Sequence, residues 1–360
     1  MSDSETVNHI TLNDRLNAIS SLQRNAQGWK ERSLSAGETL FEQGEHALAL
    51  FVLVEGRVGV LVDGASIDEL GPGESLGEAS VFSHTERRQA SVVARTDCRL
   101  LVLQRTRVMD LRKSSAPTYD WLLEAALAEI WGRLERRDRE IVRIGGDRLE
   151  PPPPRGALSS LWRRLRTKGS KAPDMMQTLA RVAGLERLPP TILESIAIEL
   201  VPQRVPADSA LFLQGELERE LHIVADGKLA IVRENVAGEP QELIVLEPGA
   251  LFGAGGFIAR QPRSASAVAR TDCWVLSLSR ETAEVFEQPV RRHLYEALLA
   301  TLRSQLRAAN TLMASLLTPE QRLVSSARAV GHLQGWQPNE PLAAVELDEL
   351  AEHEPDSVGA

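Results

Sequence analysis

Aromatic residues make up only 4% of this 360-residue chain, and cysteine occurs twice. Leu, Val, Ala and Ile must therefore fill the cores. Two cysteines cannot make a metal cluster on their own, and Cys98 and Cys273 occupy matched strand positions, so both read as buried free thiols. An excess of positive charge is also missing. Lys and Arg number 41 against 50 Asp and Glu, a net −9, which does not mark a nucleic-acid binder. No apolar run approaches the length of a membrane span. The start Met1-Ser2-Asp3-Ser4-Glu5 is acidic, unlike a signal peptide. No nucleophile-base pairing, metal-ligand spacing or second Gly-rich phosphate loop appears, so no catalytic residue, metal or cofactor is expected. The chain reads as cytoplasmic, with no membrane partner, and not as an enzyme.

What is present is ordinary in bulk and repetitive in detail. Hydrophobic residues at 43% and charged ones at 25% suit globular domains, and the length allows two or three of them. Leu40-Phe41-Glu42-Gln43-Gly44-Glu45 returns as Leu211-Phe212-Leu213-Gln214-Gly215-Glu216, and Leu70-Gly71-Pro72-Gly73 as Leu246-Glu247-Pro248-Gly249. Ala94-Arg95-Thr96-Asp97-Cys98 returns unchanged as Ala269-Arg270-Thr271-Asp272-Cys273. Order and spacing persist, apart from a longer hairpin at Arg233 to Glu242, so the chain contains a duplicated domain.

The stretch from Ser75 to Ala90 carries the chemistry of the first copy. Gly77 lets the backbone approach a ligand, and the amides of the turn after it suit an anion. Arg88 can set its planar fork against a phosphate. Glu78 would repel phosphate and should face a sugar hydroxyl. Together they describe a nucleotide pocket of cyclic-monophosphate size.

Leu76-Gly77-Glu78, followed at this distance by Arg88 and Ala90, resembles the phosphate-binding cassette of the cyclic nucleotide-binding domain family, within the catabolite activator (Crp-Fnr) superfamily. The resemblance implies that Glu78 holds the ribose 2′-hydroxyl and Arg88 the cyclic phosphate, in a site of Gly77, Glu78, Ala79, Arg88, Gln89 and Ala90. Gln89 stands where Ser, Thr or Ala is usual. In the second copy Gly253, Ala254, Gly255, Arg263, Ser264 and Ala265 form a degenerate site, with Ala254 in place of the glutamate. A cyclic mononucleotide, cyclic AMP or cyclic GMP, is the implied ligand. The resemblance also implies that ligand draws the cassette inward while the following helix repacks over the pocket.

The fold class expected is α+β, mainly β, with two jelly-roll β-barrels, each followed by a long α-helix. Residues 1–29 read as an N-terminal helical segment and 30–115 as the first domain, with Asp63-Gly64 as a hairpin turn. Residues 116–144 read as a connecting helix, with Leu123, Leu127, Ile130, Leu134 and Ile141 at heptad-like spacing. It either packs on its own barrel or forms a dimer seam or ligand-sensing helix. Residues 145–175 are a Pro-rich and basic linker around Trp162, 176–288 the second domain, and 289–318 a coiled-coil helix. Its seam, Leu299, Leu302, Leu306 and Met313, predicts a homodimer. Residues 319–360 form an acidic tail that resembles an incomplete, degenerate helix-turn-helix; DNA contact is not expected there. His84 reads as a turn histidine.

Three functions follow: a cyclic-nucleotide-responsive regulator acting on a protein partner, a Crp-Fnr-type transcription regulator binding DNA as a dimer, or a scaffold that has lost its ligand. Salt-dependent DNA retention separates the second from the others, and nucleotide thermal shifts separate the first from the third.

Overall fold

A computed structural model describes residues 28–82, 87–145, 172–186, 188–234, 240–259 and 261–317. The expectations for the N-terminal helix, for His84, for the basic segment around Trp162 and for the acidic tail lie outside the described residues. In the first copy β1 (Trp29–Leu34), β2 (Thr39–Phe41), β3 (Ala49–Glu55), β4 (Val58–Val62), β5 (Ala65–Leu70) and β6 (Ser75–Leu76) lead into the short helix α1 (Glu78–Val81). Then come β7 (Ser91–Ala94), β8 (Cys98–Gln104), α2 (Arg105–Lys113) and the long α3 (Pro117–Gly145). Two short helices, α4 (Met175–Leu179) and α5 (Pro190–Ala197), precede the second copy. It repeats the series as β9 (Val201–Val205), β10 (Ala210–Phe212), β11 (Glu220–Asp226), β12 (Leu229–Glu234), β13 (Pro240–Leu246) and β14 (Leu251–Phe252). It closes with α6 (Ala254–Ala259), β15 (Ser266–Ala269), β16 (Cys273–Ser279), α7 (Arg280–Val285) and the long α8 (Gln288–Leu316).

Each copy is a jelly roll of two four-stranded antiparallel sheets, β1-β8-β3-β6 with β2-β7-β4-β5, and β9-β16-β11-β14 with β10-β15-β12-β13. Among the described residues no helix is long and apolar enough to cross a membrane.

The five identical residues have a structural cause. At the β3–β4 turn Gly56 takes φ 90°, and a Cβ there would lie 2.3 Å from the carbonyl oxygen of Asp97 and 2.7 Å from Cys98 Sγ. Gly227 repeats this with Asp272 and Cys273 at 2.4 and 2.7 Å. The Thr96 hydroxyl accepts from the Arg57 amide at 3.0 Å, and Asp97 Oδ1 accepts from the Ala36 amide at 2.9 Å. Thr271 and Asp272 do the same for Lys228 at 2.9 Å and Ala207 at 3.0 Å. The motif is thus a turn lock that knits three loops. Both cysteines are free and buried.

The two long helices pack on each other, and this corrects the expected dimer seam. Leu299, Leu302, Leu306 and Met313 are buried within the single chain, in one core with Leu123, Leu127, Ile130, Leu134 and Ile141 of α3. Heptad spacing announces that a helix has a partner, not that the partner belongs to another chain. Here α3 is the partner of α8. The helices run in the same direction, since near their starts Arg292 donates to Asp120 at 2.6 Å, and further along Arg137 donates to Asn310 at 3.0 Å. Glu296 joins them too, accepting from Arg112 and Tyr119, each at 2.6 Å. Burial alone would raise its carboxyl, but hydrogen bonds from Arg112, His293 and Tyr119 outweigh it and hold the pKa at about 2.

Candidate functional site

Each cassette begins where a short strand ends in a left-handed glycine. Gly77, at φ 79°, caps α1, and a Cβ there would lie 2.1 Å from Arg88 Nη1. Only glycine lets the arginine lie this close to the turn. Arg88 is 4% exposed; Nη1 donates to the Gly77 carbonyl at 3.3 Å and Nη2 to the Ala49 carbonyl at 2.8 Å. Its guanidinium lies 4.1 Å from the centre of the Phe41 ring, a cation–π contact. Burial pulls its pKa down to about 10, against the pull of Glu78 and Glu45, so it keeps its charge at neutral pH. Its Nε–H, which is buried, has no partner among the described residues. That unmet donor is what an anionic oxygen would satisfy.

Glu78 is 1% exposed. One of its oxygens pairs with Arg133 of α3, and the other accepts from the Ser75 hydroxyl at 3.3 Å. Arg133 also donates to the Ser75 carbonyl. Burial would drain the charge of Arg133, but Glu78, Glu129 and Glu74 hold its pKa up. Burial raises the Glu129 carboxyl to about 7, although Arg133 pulls it down. Gly77, Glu78, Ala79, Arg88, Gln89 and Ala90 all line one cavity of about 70 Å³, together with Arg133 and Arg137 of α3 and Leu306 and Asn310 of α8. The Gln89 side-chain amide is buried there without a partner among the described residues.

The second cassette repeats the pose with different neighbours. Arg263 donates from Nη1 to the Gly253 carbonyl at 2.8 Å and from Nη2 to the Glu220 carbonyl at 2.9 Å. Nη2 also meets Glu218 at 3.0 Å and His222 Nε2 at 2.8 Å, so His222 accepts there and carries its proton on Nδ1, toward Ser277. Burial pulls the pKa of His222 down, which keeps it neutral. The Nε–H of Arg263 is again buried and unpartnered among the described residues. Gly253, Ala254, Gly255, Arg263, Ser264 and Ala265 line a cavity of about 220 Å³.

The difference in volume follows from the helices. Pro117 and Pro289 open the two helices at matched positions, which aligns Arg133 with Gln305, Arg137 with Ala309 and Asp138 with Asn310. The alignment is borne out in bonds: Gln305 donates to the Leu251 carbonyl at 3.4 Å, where Arg133 uses the matching Ser75 carbonyl. Two arginines fill the first cavity; a glutamine and an alanine leave the second open. Each cavity is also closed by the opposite helix. Arg303 of α8 donates to the Ala79 carbonyl at 3.4 Å in the first cassette. Its counterpart Trp131 of α3 lies against Gly255 in the second, where a Cβ would come within 2.1 Å of the indole. Sequence reasoning missed Arg133, Arg137, Trp131, Asp138, Arg233, Gln305 and Asn310. Aligning the two long helices on their prolines would have shown which positions differ, though not which face the pockets.

The sequence matches the family described as Cyclic nucleotide-binding domain over residues 31–115 and 202–288. It is 39% identical over 97 residues to the Cyclic AMP receptor protein of Thermus thermophilus, covering 26% of this chain and 45% of that protein. It is 25% identical over 270 residues to the cAMP-dependent protein kinase regulatory subunit of Yarrowia lipolytica, covering 75% of this chain and 57% of that one. The chain thus spans about half the length of these curated relatives. Among solved structures, the regulatory domain of Toxoplasma gondii PKA, crystallised with cAMP, aligns over 77% of this chain and 89% of that chain, at 19% identity and a TM-score of 0.31. With two matched domains in one chain, this is a tandem cyclic nucleotide-binding domain protein of the Crp-Fnr superfamily.

Proposed function

We propose that the chain is a cyclic-nucleotide-responsive regulator whose first domain receives a cyclic mononucleotide, cyclic AMP or cyclic GMP, and whose output is to a protein partner. The observation that carries this is the first cavity itself. An arginine with an unmet Nε–H and a buried carboxylate with one oxygen held only by a serine hydroxyl face the same space. The phosphate goes to Arg88 and the turn amides, and the ribose 2′-hydroxyl donates to Glu78.

A cavity of about 70 Å³ is far below the roughly 300 Å³ of ordinary ligand sites, so a nucleotide enters only if the cassette or the helices move. Arg133 makes α3 the element that feels this movement, because it grips the same carboxylate. A ligand shifts such an arrangement only through its differential affinity for the two states. The relative that aligns across both domains is by name a kinase regulatory subunit, which supports a protein partner.

Calorimetric titration with cyclic AMP and cyclic GMP tests the reading. One tight site is expected, abolished in Arg88→Ala and nearly unchanged in Arg263→Ala. Two equal sites, or binding that survives Arg88→Ala, would overturn it.

A further inference from the structure

The second cavity lacks the glutamate and the two α3 arginines of the first, and carries instead an arginine on the facing sheet. Ala254 replaces the glutamate of the first copy. On the facing sheet, Val58 of β4 pairs with Ala94 and Leu229 of β12 with Ala269, so the two strands align and Arg233 falls where the first copy has Val62. Val62 is a buried apolar residue, whereas Arg233 is 9% exposed and lines the cavity. The Arg233 side chain makes no hydrogen bond and no ion pair among the described residues; Asp138 and Glu135 of α3 act on it through space. The Trp131 Nε1–H on the cavity wall is also buried without a partner among the described residues. The charge of Arg263, by contrast, is shared with Glu218.

We propose that the second cavity is a separate site for a bis-anionic ligand with an apolar body, one acid group at the Arg263 cassette and the other at Arg233. It shares with the proposed function only the premise that a cassette arginine receives an anionic group. No ribose hydroxyl is required, since Ala254 offers no acceptor. Trp131 lies at the cassette end of the cavity, and Asp138 stands seven residues further along α3. Apolar side chains such as Leu134, Ile231, Leu246 and Phe252 hold the body between them.

Phenyl phosphate and 4-carboxyphenyl phosphate differ only in an acid group at the far end, so they probe the claim directly. By calorimetry the carboxylated probe should bind the wild-type chain about tenfold more tightly or better, the worth of a charged hydrogen bond in a buried site. Arg233→Met, which restores an apolar residue as in the first copy, and Arg233→Gln should both remove that preference while phenyl phosphate binds as before. Thermal melts confirm that the variants are folded. Equal affinity of the two probes for the wild type, or a preference that survives both substitutions, would overturn the proposal. A chain that binds cyclic AMP but neither probe refutes this inference and leaves the proposed function standing. A chain that binds the probes as expected but not cyclic AMP does the reverse.

Discussion

Replacing Arg133 by methionine removes the cation paired with Glu78 and leaves a carboxylate at 1% exposure. Both partners are well shielded, with side-chain exposures of 12% for Arg133 and 2% for Glu78. Breaking a buried pair from one side costs about 3–5 kcal/mol, because the remaining charge stays desolvated. Glu78→Gln should cost less, because Glu129 and Glu74 still act on the guanidinium and the Ser75 carbonyl still accepts from it. The double variant no longer strands the Glu78 charge, so its loss should fall short of the sum by about 2 kcal/mol, within the range of couplings seen for contacting residues. Urea unfolding of the four proteins at constant m measures this. The penalty for Arg133→Met should also depend on pH. Glu129 already has its carboxyl raised to about 7, and Arg133 is what pulls it down. A carboxyl raised in the folded state costs nothing below its ordinary value and the full amount above its folded one. The loss should therefore be larger at pH 8 than at pH 5. Additive single effects, or a penalty that does not grow with pH, would refute the assignment of Arg133 as the charge that ties the cassette to α3.

Leu302 and Leu306 sit at 1% and 5% exposure between the long helices, so changing each to Ala should cost about 2–5 kcal/mol in stability. Sedimentation should find both wild type and variants monomeric at micromolar concentration, and a wild-type dimer that the substitutions split would contradict the intrachain pairing. Acid should loosen the same interface from its other end. Glu296 is held at about 2 against an ordinary 4.5, so its contribution, about 3 kcal/mol, is complete above pH 4.5 and lost as pH falls toward 2. Glu296→Gln should flatten the fall in stability over that window, and an unchanged acid profile would count against the network.

Much of this was legible in the chain because a duplication reads the same principle twice. The repeated Gly-turn and Thr-Asp-Cys elements make the same tight backbone contacts in both copies, so sequence and structure agree there. The cassettes were legible for the same reason: Gly77 must be glycine for Arg88 to lie across it. Arg133, Trp131 and Arg233 were not, because a long exposed-looking helix or a strand end gives no local sign of which cavity it closes. The seam of α8 was read as intermolecular because periodicity encodes an apolar face and nothing about the chain that covers it.

The pairing of α3 with α8 has a consequence for how such a molecule can change. In an assembly of identical chains, any substitution appears in every site at once, and the sites stay equal. Here Ala254 and Arg233 altered one cavity with no echo at Glu78 and Val62. Because the two halves belong to one chain, their association is first-order. Its response would then not drift with the amount of protein present. Unequal cavities pressed against one pair of helices can also be coupled reciprocally, each ligand changing the other's affinity by the same factor. A single polypeptide could in that way report two chemically different signals in combination.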